Sequence, residues 1–227
     1  MKKSDSHYQT YLRVLREELV PAMGCTEPVA IAYACAKARD VLGCLPTKIV
    51  LYVSGNIIKN VKSVVVPNTG GMKGIPAAAA IGFAVGDAKK KLQVISQVTD
   101  RDRSQMQQLL SDCPITVHPS ESEEIFEILV EAYTKETCVR VRIIRFHTNI
   151  VLVEKNGQIL EEATPETESS SEEVDLLTVK DILDFADTAD LNDVKEILDR
   201  QIRYNTAIKE EGLTGKWGAA IGATLLE

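Results

Sequence analysis

Apolar residues near the start of the chain fall three or four positions apart. Tyr8, Tyr11, Leu12, Leu15 and Leu19 predict an amphipathic helix over residues 7–20, ending near Pro21. A second helix is predicted from Glu27 to Leu42; it is apolar almost all round from Val29 to Ala36, as a buried helix is, and Gly43 marks its end. "TKIVLYVS", Thr47 to Ser54, is short and rich in β-branched residues and runs into Gly55-Asn56, which reads as a strand entering a loop. "VKSVVVP", Val61 to Pro67, reads as a second strand. In "IPAAAAIGFAVGDA", Pro76 suits a first helical turn, and the alanines and glycines permit close helix packing.

The pattern changes from about residue 113. "EIFEILVEAYT", "CVRVRIIRF" and "NIVLVEKNGQILEE" have the alternation and length of strands, and Asn156-Gly157 between apolar flanks is a hairpin signal. The expectation is an antiparallel sheet. Glu161 to Asp175 has seven acidic residues and no basic one, which predicts a solvated acidic linker over 161–175. Helices are predicted over 179–187 and 192–211, the second with Val194, Ile197, Leu198 and Ile202 on one face, and both are expected to cover the sheet. The closing "LTGKWGAAIGATLLE" resumes the small-residue style of residues 74–87. The fold class read from this order is α+β: an α-rich catalytic-type domain, 1–112 with 206–227, into which an antiparallel α+β domain, 113–205, is inserted.

Composition narrows the functional classes. A chain of 227 residues, 44% hydrophobic and 26% charged, buries a real core. Its net charge of −7, without a Lys/Arg stripe, argues against nucleic acid as a partner. No uninterrupted apolar run suits a signal peptide or a membrane span, so the chain reads as cytoplasmic. Cys25, Cys35, Cys44, Cys113 and Cys138 are odd in number, widely spaced and without a CxxC pair, which fits reduced thiols. Assembly into a homo-oligomer is left open.

Two segments carry candidate chemistry. In "GCTEP", Thr26 is a natural N-cap with Glu27 and Pro28 in the first turn, which sets Cys25 at the positive end of a buried helix and favours thiolate. A thiolate there is a nucleophile or a soft metal ligand; the alternative is a structural cysteine beside a cap. Cys35 and Cys44 read as packing residues. In Val53–Gly74, two polar loops, Ser54-Gly55-Asn56 with Lys59-Asn60 and Asn68-Thr69-Gly70-Gly71, flank one strand. They offer amides, hydroxyls, backbone N–H groups and a lysine of the kind that bind a small carboxylate, or else form two ordinary turns. The spacing is not that of a Walker A loop. His7, His118 and His147 lack partners at ligand spacing and read as surface or satisfied histidines.

"PAMGCTEPVAIA" followed by "SGNIIKNVKSVVVPNTGGMKGIPAAAAIG" closely resembles the N-terminal part of the L-cysteine desulfidase family, relatives of the iron–sulfur L-serine dehydratases. The likeness is specific over residues 20–87 and loose beyond. It implies a lyase that catalyses α,β-elimination from L-cysteine or L-serine, giving pyruvate and ammonia, with sulfide from cysteine. It also implies that Cys25 is a ligand of a [4Fe–4S] cluster and that the two polar loops hold the substrate carboxylate. Members of that family are about twice this long, and their other cluster cysteines lie in the C-terminal half, which Cys113 and Cys138 do not match. The chain as given is therefore expected to lack the cluster and to be inactive, as a fragment or one subunit of a split enzyme whose C-terminal half or partner completes it. A competing expectation is a non-catalytic amino-acid-binding or regulatory module in which Cys25 is structural.

Overall fold

The computed structural model describes residues 1–163, 177–215 and 217–226. The chain is of mixed α+β type and divides into two compact units, Pro21–Thr167 and Met1–Val20 with Glu168–Glu227.

The first unit is built on two helices that packing, not amphipathicity, dictates. Helix α2 (Thr26–Leu42) is buried along nearly all of Pro28–Ala38 and stops at Gly43, whose φ of 83° gives a left-handed cap with its N–H on the Arg39 carbonyl. Helix α4 (Gly74–Val85) carries Pro76 in its first turn and buries almost every residue. The two helices lie in close contact because small residues face each other. A Cβ on Gly82 would stand 2.4 Å from the Ala32 carbonyl oxygen, and one on Gly86 would stand 2.6 Å from the Ala36 Cβ. Arg39 ties the pair further, donating to the Phe83 and Gly86 carbonyls at 3.1 and 2.6 Å.

Against them lies one six-stranded sheet: β1 (Lys48–Val53), β2 (Ile115–Pro119), β3 (Glu127–Tyr133), β4 (Cys138–Ile144), β5 (Ile150–Lys155) and β6 (Gln158–Glu162), in the order β2-β1-β3-β4-β5-β6. β1 and β2 are parallel and every other pairing is antiparallel. Alternation sends Ile49, Leu51 and Val53, Ile128, Val130 and Ala132, and Val139, Val141 and Ile143 into one fully buried face that joins α2 and α4 in the core. Asn156 (φ 52°) and Gly157 (φ 81°) make the β5–β6 hairpin turn that their dipeptide predicts.

Three expectations are corrected. The segment Val61–Pro67 is not a strand: helix α3 (Gly55–Val61) ends in it, and the chain then turns, with a single bridge from Val65 to Lys73. Its valines are apolar because Val61 and Val66 are core residues, not because they alternate across a sheet. Second, the division at residue 113 does not hold. β1, from the first half, lies between β2 and β3, so the sheet crosses the expected boundary and 21–167 is one unit. Third, the late helices α6 (Val179–Thr188) and α7 (Leu191–Gly212) form where periodicity puts them, but their buried side chains pack on helix α1 (Ser6–Glu18), where Phe185 stacks on Tyr11 at 5.1 Å and meets Tyr8 edge-on at 5.3 Å. The sheet's cover is α2 and α4. Helix α5 (Asp100–Asp112) completes the first unit and α8 (Ile221–Leu226) lies at the end of the second. Of the expected acidic linker, Glu161 and Glu162 belong to β6; residues 164–175 lie outside the described residues.

Candidate functional site

Cys25 is the N-cap of α2, one position earlier than the sequence suggests: Thr26 is already helical, and no side chain caps the first turn. Instead the first-turn hydroxyl and carboxylate turn outward and collect partners. The Cys25 thiol donates to Glu27 Oε2 at 3.0 Å, and Asn60, at the end of α3, donates its amide to Glu27 Oε1 at 3.1 Å. Thr26 Oγ1 lies 3.5 Å from Glu27 Oε2 and 2.9 Å from Nε2 of His147. His147 comes from the β4–β5 turn, where Arg145 takes a positive φ of 65° and the Phe126 ring packs 4.6 Å from the imidazole. Three elements thus deliver a thiol, a carboxylate, an amide and an imidazole to the start of one helix.

The electrostatics correct the expected thiolate. Burial first, then the hydrogen bond to Glu27 and its negative charge, push the Cys25 thiol up. A helix terminus contributes about 0.3–1 kcal/mol toward the anion. Two unit charges about 4 Å apart interact by about 4 kcal/mol at an effective dielectric of about 20, so burial together with the adjacent carboxylate outweighs the helix terminus and keeps the proton on sulfur. Burial pushes the Glu27 carboxyl up, but hydrogen bonds from Cys25, from its own N–H and from Asn60, with the His147 charge, outweigh it and hold Glu27 below the usual carboxylate range. Burial lowers His147, against the pull of Glu27, so the imidazole is neutral near pH 7. The site therefore holds a charged acceptor, a neutral base and a protonated thiol.

The predicted carboxylate-binding residues separate into two groups. Ser54 is buried: its N–H donates to the Glu127 carbonyl at 3.0 Å and its hydroxyl accepts from the Glu127 N–H at 3.3 Å. Ser54 precedes a helix rather than a loop, so Asn56, Lys59 and Asn60 lie on α3, exposed, and Asn60 alone of these reaches the Cys25 site directly. In the second segment Thr69 is buried, its hydroxyl donating to the Val66 carbonyl at 2.8 Å and accepting from the Met72 N–H at 3.1 Å. Asn68 donates to the Ile95 carbonyl at 2.9 Å. Gly70 and Gly71, at φ 75° and 91°, shape an exposed turn clasped by Arg103, which donates to the Asn68 carbonyl at 3.4 Å. That turn begins just after Pro67, whose Cγ would lie 3.9 Å from a Cβ on Gly24, so it adjoins the cysteine motif.

The sequence reading takes Thr26 and Glu27 as helix-start residues and His147 as a surface or satisfied histidine, and names none of the three as a site residue. Glu27 was within reach, because a carboxylate one turn-position from a cysteine at a helix start must interact with it; His147 carried no local signal, since its partner is 121 residues away. His118 stacks on Tyr52 at 5.4 Å in a groove of about 750 Å³ on the sheet's other face. There Glu127 and Glu131 are buried beneath Arg142 and Arg140 at 2.5 and 2.8 Å. These pairs satisfy one another across strands.

Among the described residues, no group of three or more His, Cys, Asp or Glu side chains is placed to hold a metal ion. Cys25 offers one sulfur, and that sulfur is engaged by Glu27. The described residues on their own do not fit a cluster that takes three or four thiolates. Nor is any helix among them long and apolar enough to cross a membrane.

No family model matches the chain, and no solved structure matches it. It is similar to UPF0597 proteins of Desulfitobacterium hafniense (50% identical over 230 residues), Finegoldia magna (47% over 225) and Lachnoclostridium phytofermentans (43% over 221), in matches that cover 96–100% of this chain and 53% of each relative. The name of these relatives states no activity or ligand. The chain spans about half the length of the curated relatives it matches.

Proposed function

We propose that this chain contributes the Cys25 side of a cytoplasmic lyase that takes L-cysteine or L-serine through α,β-elimination to pyruvate and ammonia, with sulfide from cysteine. The observation that supports it is the convergence of Glu27, Asn60 and His147 on Cys25, in the very motif that carries the resemblance. Elimination breaks a Cα–H and a Cβ–S or Cβ–O bond and forms Cα=Cβ; the aminoacrylate released then hydrolyses. The proton needs a base that is neutral or anionic near pH 7, and His147 and Glu27 are the two at this site. The Glu27 carboxylate attracts a substrate ammonium, and Lys59 with Asn56 is left to meet the substrate carboxylate. A [4Fe–4S] cluster with Cys25 as ligand requires further thiolates from outside the described residues, in the part of the polypeptide that the longer relatives add or in a partner subunit. None of these steps passes through it.

The decisive experiment supplies the chain with the unmatched half of a relative under anaerobic iron and sulfide, and measures pyruvate from L-cysteine and L-serine. Pyruvate release, abolished by Cys25→Ser and absent from the 227 residues alone, supports the reading; a complete protein without pyruvate release overturns it. An amino-acid-binding module predicts instead that the chain alone binds the amino acid and that Cys25→Ser changes little, which calorimetry of the chain detects. The internal engagement of Ser54, Asn68 and Thr69 leaves that module few free donors.

A further inference from the structure

His147 reaches the start of α2 from the β4–β5 turn, and that turn is built to hold it. The Arg145 N–H donates to the Phe126 carbonyl at 3.0 Å, the Asn149 N–H to the Phe146 carbonyl at 3.1 Å, and the Asn149 side chain to the Ile144 carbonyl at 3.3 Å. Arg145 also pairs with Glu124 at 3.4 Å, and the Phe126 ring packs on the imidazole itself. The imidazole is half-buried and makes one hydrogen bond among the described residues, between Nε2 and Thr26 Oγ1 at 2.9 Å. The bond made by one ring nitrogen sets the proton on the other, so this contact fixes the tautomer.

Which atom carries the proton is decided at Thr26. A hydroxyl has one proton to give and two lone pairs to receive with. On one side of it stands His147 Nε2, and on the other, 3.5 Å away, Glu27 Oε2. The Glu27 carboxylate only accepts: Oε1 takes the Asn60 amide and Oε2 the Cys25 thiol. If Thr26 gave its proton to Nε2, Oγ1 and Oε2 would face each other with no proton between them. The imidazole would turn its electron-rich nitrogen toward a carboxylate, and an Nδ1–H would have no acceptor among the described residues. All three conflicts vanish if Thr26 gives its proton to Glu27 and accepts the Nε2–H. A separation of 3.5 Å is long for a hydrogen bond, but beside a carboxylate the charge still orients the O–H dipole.

We propose that Thr26 is a positioning residue for His147: its hydroxyl accepts the Nε2–H and donates to Glu27, so the ring is held as the Nε2–H tautomer with its open lone pair on Nδ1. In this arrangement one proton lies on Nε2, one on Oγ1 and none on Glu27. The assignment concerns the resting chain and holds for any reaction that uses this histidine. Where the lyase reading holds as well, Nδ1 is the atom that takes the Cα proton.

The ring nitrogens report the tautomer directly. In the nitrogen-15-labelled 227-residue chain at pH 8, long-range proton–nitrogen correlation spectra separate a protonated, pyrrole-type nitrogen from an unprotonated, pyridine-type one. His147→Gln identifies the signals against those of His7 and His118. A pyridine-type Nδ1 and a pyrrole-type Nε2 are expected, with the Nε2–H form in excess by about tenfold or more. Thr26→Val, which keeps the side chain's shape and removes its hydroxyl, should lower that excess severalfold; Thr26→Ser should restore it, and Glu27→Gln should lower it. A pyrrole-type Nδ1 in the wild type overturns the proposal whether or not any variant folds. So does an excess that Thr26→Val or Glu27→Gln leaves unchanged, or a Thr26→Ser spectrum as altered as that of Thr26→Val, which would trace the change to something other than the hydroxyl. Because no substrate is present, a wrong tautomer leaves the lyase reading standing with Glu27 as its base, and a failed pyruvate assay leaves the tautomer standing.

Discussion

The central helices of the first unit and the helices of the second are held by different means. In Pro21–Thr167, helices α2 and α4 start without a side-chain cap and are kept helical by burial, with Ala30, Ala32, Ala34, Ala78 and Ala80 wholly out of water, whereas α5, which buries only Met106 and Leu109, starts on a Thr99–Asp102 capping box. In the helical unit, α1, α6 and α7 each start on a capping side chain, Asp5, Thr178 and Asp190, and bury at most three residues apiece. Caps contribute about 1 kcal/mol each, and a fully buried apolar side chain about 1.5–3 kcal/mol. Helices with little burial thus depend on their ends, and helices with much burial do not.

The largest test of this contrast is Gly82→Ala. The new methyl would collide with the backbone of Ala32, so α2 and α4 must move apart, and the first unit should lose about 3 kcal/mol in chemical denaturation. A loss below about 1 kcal/mol would show that the helix contact is not a close one. Thr178→Ala, which removes the hydroxyl that accepts from the Asp181 N–H, should cost α6 about 1 kcal/mol, read as faster amide exchange in 179–188 with 26–42 unchanged. Coupled loss in both segments would erase the distinction between the units.

Glu27→Gln sharpens it at the functional site. Because α2 is held by burial, its stability should fall by less than about 1 kcal/mol. The ordinary carboxylate pKa lies above that of folded Glu27, so whatever stability the charge provides is present above the ordinary value and disappears as the pH falls through the folded one. Loss of the charge also lets the Cys25 pKa drop, and alkylation of Cys25 by iodoacetamide at pH 8, followed by peptide mass spectrometry, should accelerate severalfold. An unchanged rate would mean that burial alone holds the proton. The smallest effect is expected from Ile208→Ser, within about 0.5 kcal/mol for the chain by itself, since the side chain is already in water.

Much of the architecture was readable from periodicity: α1, α2, α4, the strands from β3 to β6, and both late helices appear where the pattern puts them. Errors arose where a residue's role is set by a distant neighbour. "VKSVVVP" has strand composition, but Val61 and Val66 are apolar in order to fill the core below α3, and a run of β-branched residues does not distinguish the two uses. Nothing local in Lys48–Val53 says that its neighbours are 115–119 and 127–133. The site was half legible for the same reason. Cys25 and Asn60 were chosen by residue type and meet at Glu27; Ser54 and Thr69 were chosen by type as well, yet their hydroxyls are spent inside the fold.

The position of β1 has a consequence for how the chain is made. Its antiparallel partner, with Val53 opposite Ile128 and Lys48 opposite Tyr133, is encoded about 75–85 residues downstream. At translation rates of about 5–20 residues per second, β1 leaves the ribosome about 4–17 seconds before β3 can pair with it. β2, about 66 residues downstream, can close one edge shortly before, but the edge that β3 takes stays open throughout that interval, with α2 and then α4 to cover Ile49, Leu51 and Val53. A ribosome that pauses before residue 127 prolongs the exposure of the edge that β3 takes, and a chaperone that shields it acts within that window.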